Sequence, residues 1–342
     1  MTAQKIPVVA AAVISFGITG LLGFWLVPFM RRLKYGQTIL DIGPKWHKNK
    51  QGIPTMGGVM FIIGIVGAVL GGYPLLARTD NELGLLLLEH SRLVLGLLMA
   101  LAFGVIGFAD DYIKVVKKRN LGLSAPQKMV MQFFVAILYM AGLYMAGDRS
   151  TIVFVPFFGQ LNLYLLYYPL AVLGIVYLVN VVNITDGIDG LCASATFVTA
   201  LGFLVIASVL QVQTMEMLAA ALAGGCLGFL LWNLYPARIF MGDTGSMFLG
   251  GMVVALAFGL GIPVFLLFMG ILYILEGLSV MVQTAYFKYT RRKTGTGKRL
   301  FKMSPVHHHF EMSGWGETAI VVVFSLVQLL GCAIAVAAVM RI

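Results

Sequence analysis

From Ile6 to Met30 the chain runs without a charged side chain. A helix of that length crosses a bilayer, which needs about 20 consecutive apolar residues. Comparable runs recur along the sequence, and together they predict an all-α integral membrane protein with about ten transmembrane helices: 6–30, 56–77, 92–113, 128–146, 165–183, 191–210, 216–235, 245–260, 263–288 and 319–340. Charged residues make up only 11% of the chain, against about 25% in soluble domains. That is too little to cover a water-facing surface. No small-residue cleavage site follows the first run, so it is predicted as a spanning helix and not a signal peptide. The whole chain, 1–342, is expected to form a single polytopic membrane domain, with polar loops near 31–55, 114–127, 184–190, 236–244 and 289–318. Gly261-Ile262-Pro263 marks a turn between two helices. The long segment after it carries Glu276 and is expected to be bent or broken.

The basic residues orient this array. Nineteen of the 24 Lys and Arg residues fall in the loops after spans one, three, seven and nine. The positive-inside rule makes those loops cytoplasmic and leaves both termini extracytoplasmic. Residues 148–164 alternate like a short extracytoplasmic hairpin, with its core near 150–164. The net charge of +10 is explained by this topology, so no nucleic-acid partner is implied. Cys192, Cys226 and Cys332 lie in or beside apolar segments with no CxxC spacing and read as small buried hydrophobes.

Acids then stand out. Asp110, Asp111, Asp186, Asp189 and Asp243 sit beside apolar sequence, and a charged Asp at mid-bilayer costs about 2.5–3.5 kcal/mol. The topology instead puts all five at helix ends on the cytoplasmic side. Asp110-Asp111 closes span three, where the helix dipole disfavours acids. The pair reads either as an ion pair of Asp110 with Lys114 at i,i+4 or as a hard-cation or phosphate-base site. Asn180-Val-Val-Asn183-Ile-Thr-Asp186-Gly187-Ile-Asp189-Gly190 joins spans five and six. One acid there can cap a helix, but a cap leaves the second acid and both asparagines unexplained.

Asn233-Leu-Tyr-Pro-Ala-Arg-Ile-Phe240-Met-Gly-Asp243-Thr-Gly-Ser precedes span eight. Gly and Ser/Thr at a helix start let backbone approach phosphate oxygens. Asp243 is either a cap or a ligand for Mg²⁺, which favours a carboxylate or two plus substrate phosphates. The last inner loop holds Pro305-Val-His307-His308-His309-Phe-Glu311. Adjacent histidines do not all face one ion, so the run reads as a solvated cluster or as phosphate contacts. Thr294-Gly-Thr-Gly-Lys298 lacks P-loop spacing. Together these motifs point to Mg²⁺-dependent phosphate chemistry at the membrane surface.

Ile53-Pro-Thr-Met-Gly-Gly58, Gly107-Phe-Ala-Asp-Asp111, Asn183-Ile-Thr-Asp-Gly-Ile-Asp-Gly190, Phe240-Met-Gly-Asp-Thr-Gly-Ser246 and Pro305-Val-His-His-His-Phe-Glu311 resemble, in order, the motifs of the phospho-N-acetylmuramoyl-pentapeptide transferases (the MraY translocases), within the wider polyprenyl-phosphate N-acetylhexosamine-1-phosphate transferases. One departure is Ile53, where the family is expected to carry Thr. The resemblance implies transfer of phospho-MurNAc-pentapeptide from UDP-MurNAc-pentapeptide to undecaprenyl phosphate, giving lipid I and UMP for peptidoglycan synthesis. It also implies Mg²⁺, a homodimer, and residence in the bacterial cytoplasmic membrane.

By the same resemblance, Asp243 ligates the metal and Asp110 deprotonates or positions the lipid phosphate, with Asp111 in support. Asn183, Asp186 and Asp189 organise the nucleotide side, with Asn180, Gly187 and Asn233 nearby, and Phe240 stacks on uracil. Lys50 and the histidines, chiefly His307 and His308 with His309 beside them, contact phosphate. Two other readings are a transferase using UDP-GlcNAc and a cation-coupled transporter with intramembrane acids.

Overall fold

The computed structural model describes residues 5–32, 50, 52–77, 83–115 and 122–341, with the side chains of 77 and 83–87 left aside. The predicted basic loop positions Lys34, Lys45, Lys48, Arg78, Lys117, Lys118 and Arg119 lie outside the described residues.

Helices dominate: α1 (Ile6–Arg32), α2 (Gly58–Ala77), α3 (Leu83–Val115), α4 (Ala125–Met145), α5 (Tyr167–Thr185), α6 (Leu191–Val209), α7 (Gln213–Asn233), α8 (Gly242–Gly259), α9 (Leu266–Met269), α10 (Ile271–Thr294), α11 (Val306–Glu311) and α12 (Glu317–Val339). Among the described residues nine helices are long and apolar enough to cross a membrane, and the bent pair α9–α10 makes up to ten. This matches the predicted number. Most predicted boundaries hold within a few residues. The start of span eight, expected at 245, moves back to Gly242. Asp243 therefore lies inside the first helical turn and not in the preceding loop.

α7 and α8 form the centre and are buried along nearly their whole lengths. Both are rich in Ala and Gly, which lets neighbouring helices approach closely where apolar burial alone gives no driving force. α1, α2 and α6 pack on α7, while α3 and α5 pack on α8. Trp232 of α7 donates its indole N–H to the Gly20 carbonyl of α1 at 3.0 Å.

The expected break in the ninth span occurs at Gly270, where the two segments meet at 80°. A break exposes backbone groups that lipid cannot satisfy. Gln328 of α12 fills that need. Its Nε2 donates to the Met269 carbonyl at 2.5 Å, and its Oε1 accepts from the Leu272 N–H at 3.1 Å. The hairpin also forms as expected: β1 (Ile152–Val155) pairs antiparallel with β2 (Gly159–Asn162). It sits at the end of the bundle where α5 begins, with Phe154 stacked on Phe265 beside the break. All three cysteines are buried and free. The acids gather at the other end, where α3 and α5 finish and α8 and α12 start.

Candidate active site

The first group of side chains is built where α3 meets α8. A Cβ on Gly107 would strike the main chain of Asp243, so the two backbones touch one turn before the acid pair. Asp111 then reaches the start of α8. Its Oδ2 accepts from the Thr244 N–H at 2.9 Å and the Thr244 hydroxyl at 2.7 Å, and its Oδ1 accepts from the Asp243 N–H at 3.2 Å. The first N–H groups of a helix have no partner within it. Met241, at the cap position, supplies no side-chain bond. Asp111 is the missing cap, supplied from another helix.

Asp110 accepts from the Leu123 N–H at 2.7 Å and pairs with Lys114 at 2.5 Å, the i,i+4 contact that the sequence offered as one of two readings of this motif. Asp243 Oδ2 lies 3.1 Å from Lys114 and 2.9 Å from Lys128. Its Oδ1 accepts from Asn183 at 2.9 Å, and Asn183 also donates to Ser246 at 2.7 Å. Asp110, Asp111 and Asp243 bring one carboxylate oxygen each within 4.8 Å of one another. Such a set of hard oxygen donors can hold a divalent cation. Burial, with the charges of Asp243, Asp111 and Asp189, pushes the nearby Asp186 carboxyl up to about 8.

A second group is centred on Lys50. Its ammonium lies 2.7 Å from Asp189 and 2.6 Å from Glu317. Burial alone would lower the Lys50 pKa, but hydrogen bonds to both acids and their charges raise it above its ordinary value. Asp189 also accepts from the Ala237 N–H at 2.9 Å, and Glu317 accepts from the Asp189 N–H at 3.1 Å. Of the two acids of the Asp186–Gly190 turn, Asp189 is thus bound by Lys50, while Asp186 lies within electrostatic range of Asp243 and Asp111 as well as of Asp189.

The histidines divide as well. His307 is fully buried, with its Nδ1 3.1 Å from Glu276 and its ring against Gly187, where a Cβ would overlap it. His308 Nδ1 lies 2.5 Å from Glu311, and His309 accepts from the Lys302 N–H at 3.1 Å. Asn180 sits one turn deeper than Asn183 and donates to Gln132 of α4 at 2.6 Å. Asn233 clamps two strands of chain: it accepts from the Gly190 N–H at 3.1 Å and donates to the Ile239 carbonyl at 2.9 Å. Phe240 is half-buried, and its N–H donates to the Pro54 carbonyl at 2.8 Å.

Sequence reading singled out neither Lys128 nor Glu317 as a site residue. Lys128 had a usable signal. Ser124 and Gln127 form a reciprocal capping box at the start of α4, with Pro126 in the first turn. That box fixes Lys128 one turn inside the helix, from where it reaches Asp243. Glu317 had only its place at the start of an apolar run.

The glycosyl transferase family 4 profile matches residues 93–261, which contain all five acids. The first signature of phospho-N-acetylmuramoyl-pentapeptide-transferase matches 50–62. A phospho-N-acetylmuramoyl-pentapeptide-transferase of Heliobacterium modesticaldum is 46% identical over 318 residues, 92% of each chain. One of Acetivibrio thermocellus is 42% identical, covering 95% of this chain and 93% of its own. The chain belongs to the phospho-N-acetylmuramoyl-pentapeptide transferase family. A further member, from Desulforamulus reducens, is 43% identical over 94% of both chains. In this member of the transferase family the carboxylate trio, the Lys50 group and the histidine helix occupy one end of a helical bundle.

Proposed function

We propose that the chain transfers phospho-MurNAc-pentapeptide from UDP-MurNAc-pentapeptide to undecaprenyl phosphate, yielding lipid I and UMP, at the cytoplasmic face of a bacterial inner membrane. The observation that carries this reading is the trio Asp110, Asp111 and Asp243 at a bundle end, within reach of two lysines. The names borne by relatives that align over nearly the full chain support the choice of substrates. The density of Lys and Arg at that end supports the cytoplasmic assignment. A homodimer is part of the same reading.

The trio suits Mg²⁺, with Asp243 as principal ligand, because its side chain is the least buried of the three and its partners are movable lysine and asparagine side chains, whereas Asp111 is held by the start of α8. Bound there, the ion would neutralise charge on the diphosphate as UMP leaves. The chain's own residues do the remaining work. In phosphoryl transfer that work is mainly positioning and charge stabilisation. Lys114 and Lys128, which neutralise Asp243 in this structure, are placed to turn to phosphate oxygens. Asn183 holds the Asp243 carboxylate in orientation. Asp110, tethered by the Leu123 N–H, positions the lipid phosphate and takes its remaining proton. Phosphate monoesters are largely dianionic at neutral pH, with a second pKa of about 6, so positioning is the larger share of that role.

Asp186, Gly187, Asp189, Asn180 and Asn233 shape the nucleotide side, with Phe240 stacking on uracil. Lys50, His308 and His309 contact phosphate, and His307 supports them from its buried position. Purified enzyme given UDP-MurNAc-pentapeptide, undecaprenyl phosphate and Mg²⁺ should release UMP and form lipid I. UDP-GlcNAc should compete poorly. Turnover of UDP-GlcNAc alone would overturn the substrate assignment.

A further inference from the structure

We infer that Glu276 and His307 form a positioning pair that sets the Asp186–Gly190 turn from beneath and so governs how tightly the nucleotide half of the donor is held. The inference rests on the transferase reading above and adds to it a residue that lies a helix away from the carboxylate trio.

Both side chains are completely buried, and they lie 3.1 Å apart. Neither ring nitrogen of His307 nor either oxygen of Glu276 makes a well-aligned hydrogen bond to any described group, so the close approach to each other is the polar contact that each buried side chain keeps. An ionisable residue in a membrane span is costly and persists where it faces the protein interior and has a partner. Apolar residues of similar volume would often fill such a place at no loss of stability. A role in fixing geometry accounts for the pair where packing alone does not.

The geometry identifies what is fixed. With Nδ1 turned to Glu276, the Nε2 edge of the ring lies against Gly187, and a Cβ on Gly187 would overlap that edge first. The imidazole is therefore a wedge between α10 and the turn, and its thickness determines where Asp186 and Asp189 stand. α10 is tied to the helix that ends in this turn: Gly277, next to Glu276, packs directly on Val181 of α5. A second carboxylate–imidazole pair braces the wedge. The His308 ring meets that of His307 at 4.2 Å between centroids, and His308 leans on Glu311.

The test measures UMP binding by calorimetry and both KM values by UMP release, in detergent-solubilised full-length enzyme with Mg²⁺. Glu276→Ala should weaken UMP binding and raise the KM for the UDP-sugar by about 10-fold or more, the scale on which outer supporting partners act. The KM for undecaprenyl phosphate should stay unchanged. Glu276→Gln, which keeps a hydrogen-bonding group at the same reach, should recover most of the loss. Gly187→Ala should reproduce the defect, and adding His307→Ala to it should restore part of the binding by removing the wedge.

Unchanged UMP affinity in both Glu276→Ala and Gly187→Ala overturns the inference. So does an equal rise in both KM values with no rescue by Gln. If Glu276→Ala does not fold, the Gly187→Ala pair of variants decides alone. Wild-type enzyme that binds no UMP overturns the transferase reading itself, and the inference falls with it.

Discussion

Lys128 Nζ lies 2.9 Å from Asp243 Oδ2, and Lys114 reaches the same oxygen at 3.1 Å. The carboxylate best placed to hold a divalent cation is thus already neutralised by two side chains from neighbouring helices, so cation and lysines compete for one oxygen. Replacing Lys128 by Ala should raise the apparent affinity for Mg²⁺ while lowering kcat, because the same ammonium is then missing from the phosphates. Asp243→Asn should lower UMP release by about 10²–10³-fold, the scale of losing one preorganised electrostatic group. Titrating UMP release against Mg²⁺ in both variants checks this. Near-normal turnover in Asp243→Asn removes Asp243 from the metal role.

Asp111 plays a different part from its neighbour. Its two oxygens accept three hydrogen bonds from the first turn of α8. Asp111→Ala should therefore destabilise the protein as well as inactivate it. Removing a helix cap costs about 0.5–2 kcal/mol, and a buried charge-assisted set belongs at the upper end. Thermal unfolding in detergent should show the loss in Asp111→Ala and little change in Asp243→Asn. Equal stability of the two variants would deny Asp111 its capping role.

The helical array was readable because a bilayer imposes a length on every span and a composition on every loop. The acids, both asparagines and the histidines were readable as chemistry because each is expensive in lipid. Their grouping was not. Asp186 and Asp189 are three positions apart, yet the Asp189 carboxylate is taken by Lys50 and the Ala237 N–H while Asp186 senses Asp243 and Asp111. His307, His308 and His309 are consecutive, yet each has a different partner. Turn geometry and helix crossing decide these pairings, and both depend on contacts far apart in sequence. Asp111 shows the same gap: a C-terminal helix acid looks unfavourable by its own dipole until the start of α8 is placed against it.

Asp186 makes stability depend on pH. Its carboxyl is raised from 3.8 to about 8, first by burial and then by surrounding acids. Between those two values the folded protein holds a proton that the unfolded chain has released. Stability contributed by this group should therefore fall as pH rises from about 4 to about 8 and level off above it. Asp186→Asn should flatten that slope. Thermal unfolding of wild type and variant in metal-free buffer from pH 5 to 9 checks it, and parallel curves would show that Asp186 ionises normally.

Among the described residues, Lys50 is the cation that lies between two acids, Asp189 and Glu317, that are both nearly buried. Removing it leaves like charges facing each other, and breaking a buried pair from one side costs about 3–5 kcal/mol. Lys50→Ala should accordingly lose stability as well as activity. Glu317→Gln should lose much less of either, because Asp189 remains to hold the ammonium and the amide oxygen can still accept from the Asp189 N–H. The double variant Lys50→Ala/Glu317→Gln should regain stability relative to Lys50→Ala alone, since one of the two opposed charges is gone, but it should regain no activity if Lys50 serves the phosphates. Thermal unfolding and UMP release on the four proteins separate the two contributions. A double variant that regains activity along with stability would show that Lys50 acts by holding the fold and not by touching substrate.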